Sequence, residues 1–446
     1  MSDWKEYKLG ELATFYNGRA YKNGEFKTSG TPIVRIQNLT GEGKTVYSDL
    51  QLDENKYIEN GDLIYAWSAT FGPYIWRGEK SIYHYHIWKI VCNEKIIDKF
   101  YFYYKLKLIS DSLKDNGNGS IFIHITKSFM ENFKIKIPSL EKQKYISNIL
   151  SNLDKKIRFN TQINQTLEQI AQALFKSWFV DFDPVRAKVQ ALSDGLSLEQ
   201  AELAAMQAIS GKTAEELTVL SQTQPDRYAE LAETAKAFPC EMVEVNGVEV
   251  PKGWEMKALS DLGQIICGKT PSKSNKEFYG NEVPFIKIPD MHNQAFITQT
   301  TDNLSLSGAN SQSKKYIPPK SICVSCIATV GLVSMTSKPS HTNQQINSII
   351  PNDEQTSEFL YLSLKQPSMT KYLKDLASGG SATLNLNTST FSKIEIMTPS
   401  KEIIDIFHNK VVYAFEKVLS NSIENKRLAE IRDLLLPNLL NGESDE

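Results

Sequence analysis

The chain has 446 residues, with 50 Lys and Arg against 52 Asp and Glu for a formal charge of −2, and 41% hydrophobic against 23% charged residues. This is the composition of a globular protein of two or three domains, and it excludes a disordered chain. No apolar run reaches the roughly 18 residues of a membrane span, the start Met1-Ser2-Asp3-Trp4-Lys5-Glu6 lacks the apolar stretch of a signal peptide, and the five cysteines are scattered, so a cytoplasmic protein with no membrane partner is expected.

In chain order, residues 1–138 carry short apolar segments cut by Gly, Asn, Ser and Pro, such as Asp62-Leu-Ile-Tyr-Ala-Trp67 and Ile121-Phe-Ile-His-Ile125. They read as strands and turns with a helix near 98–113, a mixed α/β globule. Residues 139–184 contain no Gly, and no Pro between Pro138 and Pro184, which is helical punctuation. Residues 185–250 are Ala/Glu/Gln-rich and read as two short acidic helices, at Glu199-Gln-Ala-Glu-Leu-Ala-Ala205 and Thr213-Ala-Glu-Glu-Leu217. Residues 251–399 then repeat the first globule, 400–441 repeat the long helix, and 442–446 form an acidic tail.

The repeat is explicit. Trp4-Lys-Glu-Tyr-Lys-Leu9-Gly-Glu-Leu12 with Gly18-Arg19 returns as Trp254-Glu-Met-Lys-Ala-Leu259-Ser-Asp-Leu262 with Gly268-Lys269, an offset of 250. Ala69-Thr70-Phe-Gly72 returns as Ala328-Thr329-Val-Gly331 at 259, and Pro138-Ser139 as Pro399-Ser400 at 261. The period is far too long for a solenoid, so a whole domain and its helix are duplicated. Charge follows the segments: residues 1–180 sum to +6, 181–250 to −8 and 251–446 to 0. The near-neutral total therefore hides opposed blocks and does not exclude a polyanionic partner.

The first long helix places Ile146, Leu150, Leu153, Ile157, Asn160, Asn164, Leu167, Ala171, Leu174 and Trp178 at alternating steps of four and three, the seam of a coiled coil. An offset of 261 gives Phe407, Val411, Ala414, Val418, Asn421, Asn425, Leu428, Arg432, Leu435 and Leu439. Two Asn interrupt both seams at matching places. In an antiparallel pair with a pseudo-two-fold axis Asn160 meets Asn425 and Asn164 meets Asn421, and buried Asn fix register; the alternative is that these residues are solvated beside a stripe shifted by Ile163 and Ile170. A helix of 40 residues is about 60 Å long, which sets the two globules at opposite ends of the pair.

Four motifs suggest chemistry. Gly263-Gln-Ile-Ile-Cys-Gly268-Lys269-Thr270 satisfies the phosphate-loop pattern and makes a nucleotide-binding protein the alternative reading. Its context fails, because no buried strand precedes it and Pro271-Ser-Lys-Ser-Asn275 cannot open a helix. Cys323-Val-Ser-Cys326 has the spacing of half a zinc site, but its first-copy equivalents are Ile64 and Trp67, which favours packing. Asp183-Pro184 is followed by Val185 and not by the Pro-Tyr of an adenine methyltransferase signature, and Pro225-Asp226 with Glu255-Met-Lys257 only loosely imitates a nuclease pattern. The expectation is therefore no catalytic residue, no metal and no cofactor in this chain.

The turns combine basic, amide and aromatic side chains suited to phosphates and base edges. In the first copy these are Asn17, Arg19, Lys22, Arg35, Gln37, Asn38, Trp67, Ser68, Thr70, Arg77, His84, His86, Asn118 and Ser120. In the second they are Lys269, Thr270, Lys273, Lys287, Thr329, Asn343, Gln345, Ser381 and Asn385. His84 and His86 correspond to Asn343 and Gln345, a polar pair that stays polar, which favours hydrogen bonding to a partner. Two similar globules with diverged loops on a rigid spacer would read two short DNA sequences at a fixed separation.

The paired Trp-x-x-x-x-Leu-x-x-Leu starts, the Ile137-Pro-Ser-Leu-Glu-Lys-Gln143 helix entry, the Gln165–Pro184 stretch ending Trp178-Phe-Val-Asp-Phe-Asp-Pro184, and Arg432-Asp-Leu-Leu-Leu-Pro437-Asn-Leu-Leu-Asn-Gly-Glu443 resemble the specificity subunits of type I restriction-modification systems, over essentially the entire chain. The resemblance implies an α+β fold of two target-recognition domains in tandem pseudo-two-fold repeat, joined by two long helices in an antiparallel coiled coil. It also implies double-stranded DNA, two adenine methyltransferase subunits and restriction/translocase subunits as partners, with S-adenosylmethionine, ATP and Mg sites in those partners. One departure is Lys401-Glu402-Ile403-Ile404 where the first helix has Leu140-Glu141-Lys142-Gln143.

Overall fold

The computed structural model describes residues 4–41, 43–115, 125–245, 247–378 and 383–441. They form two compact units, one of residues 1–157 with 427–446, the other of residues 158–426.

The first unit runs β1 (Lys5–Lys8), α1 (Leu9–Leu12), β2 (Ala13–Asn17), β3 (Thr31–Val34), α2 (Ile36–Leu39), β4 (Val46–Ser48), β5 (Tyr57–Ile58), β6 (Leu63–Ala66), β7 (Gly72–Ile75), β8 (Ser81–Tyr83), β9 (Ile87–Cys92), α3 (Lys99–Asp115), α4 (Lys127–Asn132) and β10 (Lys134–Ile137). One sheet has the order β2-β9-β6-β7, the second β4-β3-β8-β5, and β1 pairs with β10. All four residues of β6 are buried, as befits a strand with a neighbour on each edge and cover on both faces. α3 closes the core, burying Tyr101, Phe102 and Leu106 against Phe15, Leu63, Tyr65 and Trp88. Of the strand expected over Ile121–Ile125, residues 121–124 lie outside the described residues, and Ile125 is a buried residue outside any strand.

Helix α5 (Leu140–Phe179) begins in this unit, and its Ile146 and Leu150 join the same core together with Leu436 and Leu440 from the end of the last helix, α15 (Lys401–Asn441). Lys105 on α3, 6% exposed, donates through Nζ to the Leu440 carbonyl at 2.7 Å. A helix C-terminus offers unpaired carbonyls to a cation; burial pulls this ammonium's pKa down to about 8. Arg432 Nη1 meets Asp154 Oδ1 at 2.6 Å, and Tyr104 donates to the other carboxylate oxygen at 2.6 Å.

In the second unit α5 ends at Phe179, short of residue 184, because Phe182 takes a left-handed φ of 57° and the chain restarts as α6 (Asp183–Ser193) with Pro184 in its first turn. The segment read as two short helices holds more: α7 (Leu198–Ser210), α8 (Ala214–Thr223), α9 (Pro225–Ala237) and the hairpin β11 (Met242–Val245) with β12 (Val248–Pro251). Ser197 and Thr213 each accept from a third-residue amide while Gln200 and Glu216 reach back, and these capping boxes start α7 and α8, the two helices expected; α9 and the hairpin are the additions. Lys188, 2% exposed, donates to the Ala235 and Phe238 carbonyls at 2.9 and 2.7 Å and holds the end of α9.

The repeat follows as β13 (Glu255–Ala258), α10 (Leu259–Leu262), β14 (Gly263–Cys267), β15 (Tyr279–Ile286), β16 (Phe296–Ile297), β17 (Asp302–Leu304), α11 (Leu306–Asn310), β18 (Ile322–Ser325), β19 (Val333–Thr336), β20 (His341–Thr342), β21 (Ile346–Pro351), α12 (Ser357–Lys365), α13 (Pro367–Ala377), α14 (Thr388–Ser392) and β22 (Glu395–Thr398). Its sheets are ordered β14-β21-β18-β19-β16 and β17-β15-β20, with β13 paired to β22. These orders reproduce the first unit strand for strand, including the parallel pair β15 and β20 that matches β3 and β8. The differences are that β16 is added and that the counterpart of β5 is reduced to an isolated antiparallel bridge between Ile317 and Ser340, the equivalents of Ile58 and Ser81.

Trp178 and Phe179 pack with Phe175, Phe359 and Phe407, ring centroids 5.0 to 6.1 Å apart, so the Trp-Phe-Val-Asp-Phe signature is a helix stop seated in an aromatic core. The departure at the second helix entry also has a physical reason. Buried Gln143 bridges the Ile96 and Pro138 carbonyls and the Asp98 amide, whereas its counterpart Ile404 is buried as an apolar side chain and Lys401 pairs instead with Asp353 and Asp405.

Between α5 and α15 in this unit, Asn160 Nδ2 donates to Asn425 Oδ1 at 3.0 Å and Asn421 Nδ2 to Asn164 Oδ1 at 2.9 Å, an antiparallel pairing. Asn160 and Asn421, equivalent by the repeat, are both 1% exposed. Elsewhere the buried stripe shifts by one residue from the heptad expectation: Phe175, Phe415, Leu436 and Leu440 are buried where Leu174, Ala414, Leu435 and Leu439 are only partly so. A straight helix drifts against a strict heptad, and these stretches pack on globular cores as well as on a helix.

Candidate nucleic-acid interface

In each unit one backbone frame carries most of the sequence-predicted site. In the first, β2 ends against the tip between β8 and β9: the Gly18 amide donates to the Ile87 carbonyl at 3.2 Å and the Arg19 amide to Tyr83 at 3.1 Å. The His84 amide donates to Val34 at 2.9 Å and the Trp67 amide to the His86 carbonyl at 3.1 Å. The second unit repeats all four bonds, from Gly268 to Ile346 at 3.2 Å, Lys269 to Thr342 at 2.9 Å, Asn343 to Ile286 at 3.1 Å and Cys326 to Gln345 at 2.8 Å. A Cβ on Gly18 would stand 2.3 Å from the His84 carbonyl oxygen and one on Gly268 2.2 Å from that of Asn343, so this close approach admits only glycine in both copies. The Ala-Thr-x-Gly turns match as well, with Ala69 and Ala328 at φ of 57° and 63° and Gly72 and Gly331 at 141° and 93°.

The side chains on this frame differ. In the first unit Arg19, Arg35, Trp67, His84 and His86 converge. Arg19 pairs with Glu25 at 2.7 Å and lies over the Tyr21 ring. Arg35 donates to the Lys44 carbonyl at 2.7 Å and to Gln37 at 2.6 Å when the Gln37 oxygen faces it. Asn38 caps the Arg35 amide and donates to Gly43, so its amide closes the loop. Trp67 Nε1 donates to the Tyr85 carbonyl at 2.8 Å, and the Tyr85 ring lies 4.4 and 3.9 Å from the two imidazoles. Burial, then the His86 and Arg35 charges, pull the His84 pKa down to about 4. Asn17 and Lys22 are exposed beside this group, Ser68 and Thr70 are half-buried in the β6–β7 turn, and Arg77 instead neighbours Tyr103 of α3.

In the second unit Lys269, Thr270, Lys287, Asn343 and Gln345 come together. Asn343 and Gln345 bond each other twice, at 3.0 and 3.1 Å, and Thr270 donates to Gln344 Oε1 at 2.6 Å. Lys287, the counterpart of Arg35, is ion-paired with Asp302. Thr329 and Asn385 share a separate edge where the Ala328 amide bonds the Leu384 carbonyl, and Lys273 is exposed on the loop after Thr270. Asn118, Ser120 and Ser381 lie outside the described residues. The sequence reading missed Tyr85 and Gln344, the outermost tip residues, and the carboxylates Glu25 and Asp302 that restrain the cations. The tripeptide between two strands was a signal for the former; long-range pairing left none for Asp302.

The remaining motifs resolve as packing. Gly263–Cys267 is itself a strand, paired along its length with β21, and Lys269 is followed by turns, so the phosphate-loop pattern forms no phosphate cradle. Cys323 and Cys326 are buried with thiol pKa values raised to about 12 and 11 by burial, and no group of three or more metal-ligating residues occurs among the described residues. No described helix is long and apolar enough to cross a membrane.

Two α+β globules that repeat one frame and vary its exposed tips define a recognition protein. The chain belongs to the type I restriction-modification DNA specificity family, whose domain model matches residues 1–169 and 251–433. It is 66% identical to the type I restriction enzyme HindI specificity subunit of Haemophilus influenzae across 99% of this chain and all of that one, and 25% identical to the MjaIX specificity subunit of Methanocaldococcus jannaschii across 79% of this chain and 71% of that one. In fold it is similar to the type I restriction-modification S subunit from M. genitalium, with a TM-score of 0.55 at 13% identity over 98% of this chain and 96% of the other. Its function is recognition, as the specificity subunit of a type I restriction system.

Proposed function

We propose that the two globules, 1–138 and 251–399, each read one half of an asymmetric bipartite site in double-stranded DNA, and that the long helices seat two methyltransferase subunits that methylate adenine there. Restriction/translocase subunits join the same complex. S-adenosylmethionine, ATP and Mg belong to those partners, the chemistry is theirs, and the assembly works in the cytoplasm. The observation that carries this reading is the repeated backbone frame with diverged tips, since a duplicated reader with unlike side chains binds unlike sequences. The acidic segment 181–250, at −8, turns from the polyanion. Sequencing modified bases in cells that express this chain with its methyltransferase tests it: two unlike short motifs separated by a fixed spacer are expected, and a single continuous or palindromic motif would overturn it.

A further inference from the structure

We propose that half-site specificity resides in the tripeptide tips His84-Tyr85-His86 and Asn343-Gln344-Gln345, which occupy one equivalent position in the two units and present different chemistry from it. The inference rests on the bipartite reading above. Around both tips the same four main-chain to main-chain hydrogen bonds recur, so the common frame is set without the three tip side chains. A loop whose backbone is held this way, and whose side chains alone have changed, is the part of the duplication free to alter what is read.

The tips are also rigid, which sharpens discrimination because little ordering remains to be done on binding. In the first unit the Trp67 indole holds the Tyr85 carbonyl, and Tyr85 packs between two imidazoles while remaining 40% exposed. In the second unit the Asn343 and Gln345 amides bond one another and Thr270 orients the exposed Gln344. An oriented carboxamide offers a donor beside an acceptor, the pattern that matches adenine in the major groove. The first tip has no carboxamide; it presents two imidazoles and a phenol, and the Arg35 guanidinium beside them is already donating to the Lys44 carbonyl and Gln37. The second tip therefore reads an A·T pair in its half-site, and the first, which lacks a carboxamide, a different base pair in its own.

Tyr85→Ala and Gln344→Ala remove exposed side chains and leave the frame bonds intact. The full chain is assembled with its methyltransferase subunits, the modified motif is sequenced, and binding is measured on duplexes carrying each single base-pair change. Tyr85→Ala is expected to relax base preference by about tenfold or more within one half-site, and Gln344→Ala within the other, the opposite half staying as in the wild type. Unchanged motifs in both variants would overturn the proposal, as would an equal loss of binding on every duplex, which marks phosphate contact. If the wild-type motif is not bipartite the parent reading fails instead, a result separate from either of these.

Discussion

Replacing Asn421 probes the polar layer between α5 and α15. Its Nδ2 donates to Asn164 Oδ1 at 2.9 Å, but its own Oδ1 is buried without a partner. Truncation to alanine removes a hydrogen bond worth about 1 kcal/mol and leaves a small void, offset in part by loss of the unsatisfied acceptor. Asn164 Nδ2 keeps its bonds to the Val418 carbonyl and Ser422 Oγ, both at 3.2 Å, while Asn164 Oδ1 loses the Asn421 donor in a residue that is only partly buried, where water can replace it. The net expectation for Asn421→Ala is a loss of about 1–2 kcal/mol, or roughly 3–6 °C in the melting of the second unit. Asn421→Leu keeps the volume and abolishes the buried acceptor, so it melts within about 1 kcal/mol of the wild type, above the alanine variant. Thermal melts of Asn164→Ala, Asn421→Ala and the double variant close a cycle with an expected coupling of about 1 kcal/mol. Strictly additive costs, or a leucine variant below the alanine one, would refute the reasoning.

Further outcomes follow from individual contacts. His341 is fully buried and burial holds its pKa down to about 4, so the unfolded chain binds the extra proton between pH 4 and about 6.5; stability rises with pH through that window, and in His341→Leu the slope measured by melting is shallower. Lys105→Met breaks the cap on Leu440, and hydrogen exchange of residues 436–441 is expected to quicken by about tenfold, with the amides of β14 unchanged. Gly18→Ala forces a Cβ onto the His84 carbonyl, and costs about 1–3 kcal/mol in melting of the first unit while blunting selection in its half-site alone. Calorimetry with ATP is expected to give no binding heat for the wild type or for Lys269→Ala, because a strand occupies the phosphate-loop pattern.

The duplication, the long helices and the Asn pairs were legible because each has a period or an offset that a single sequence displays. The connector was legible in part: α7 and α8 fall where residues 199–205 and 213–217 read as helices, whereas α9, which opens on Pro225, and the β11–β12 hairpin carry no comparable signal in composition. The helix stop at Phe182 escaped because an aromatic at positive φ has no local signature. At the interface the residue types were readable but their partners were not. Arg19 looked free until Glu25 was found folded back beneath it, and Asn38 looked like a base reader although its amide closes its own loop. Such pairings depend on how segments fold back on one another, which spacing does not reveal.

The frame around the two tips has an evolutionary consequence. Because the shared bonds run between peptide groups, with glycine demanded at the closest approach, mutations at the exposed tip residues Tyr85 and Gln344 carry little folding penalty. A lineage carrying such a subunit can change the word it recognises in small inherited steps, one half at a time, while the scaffold keeps its grammar.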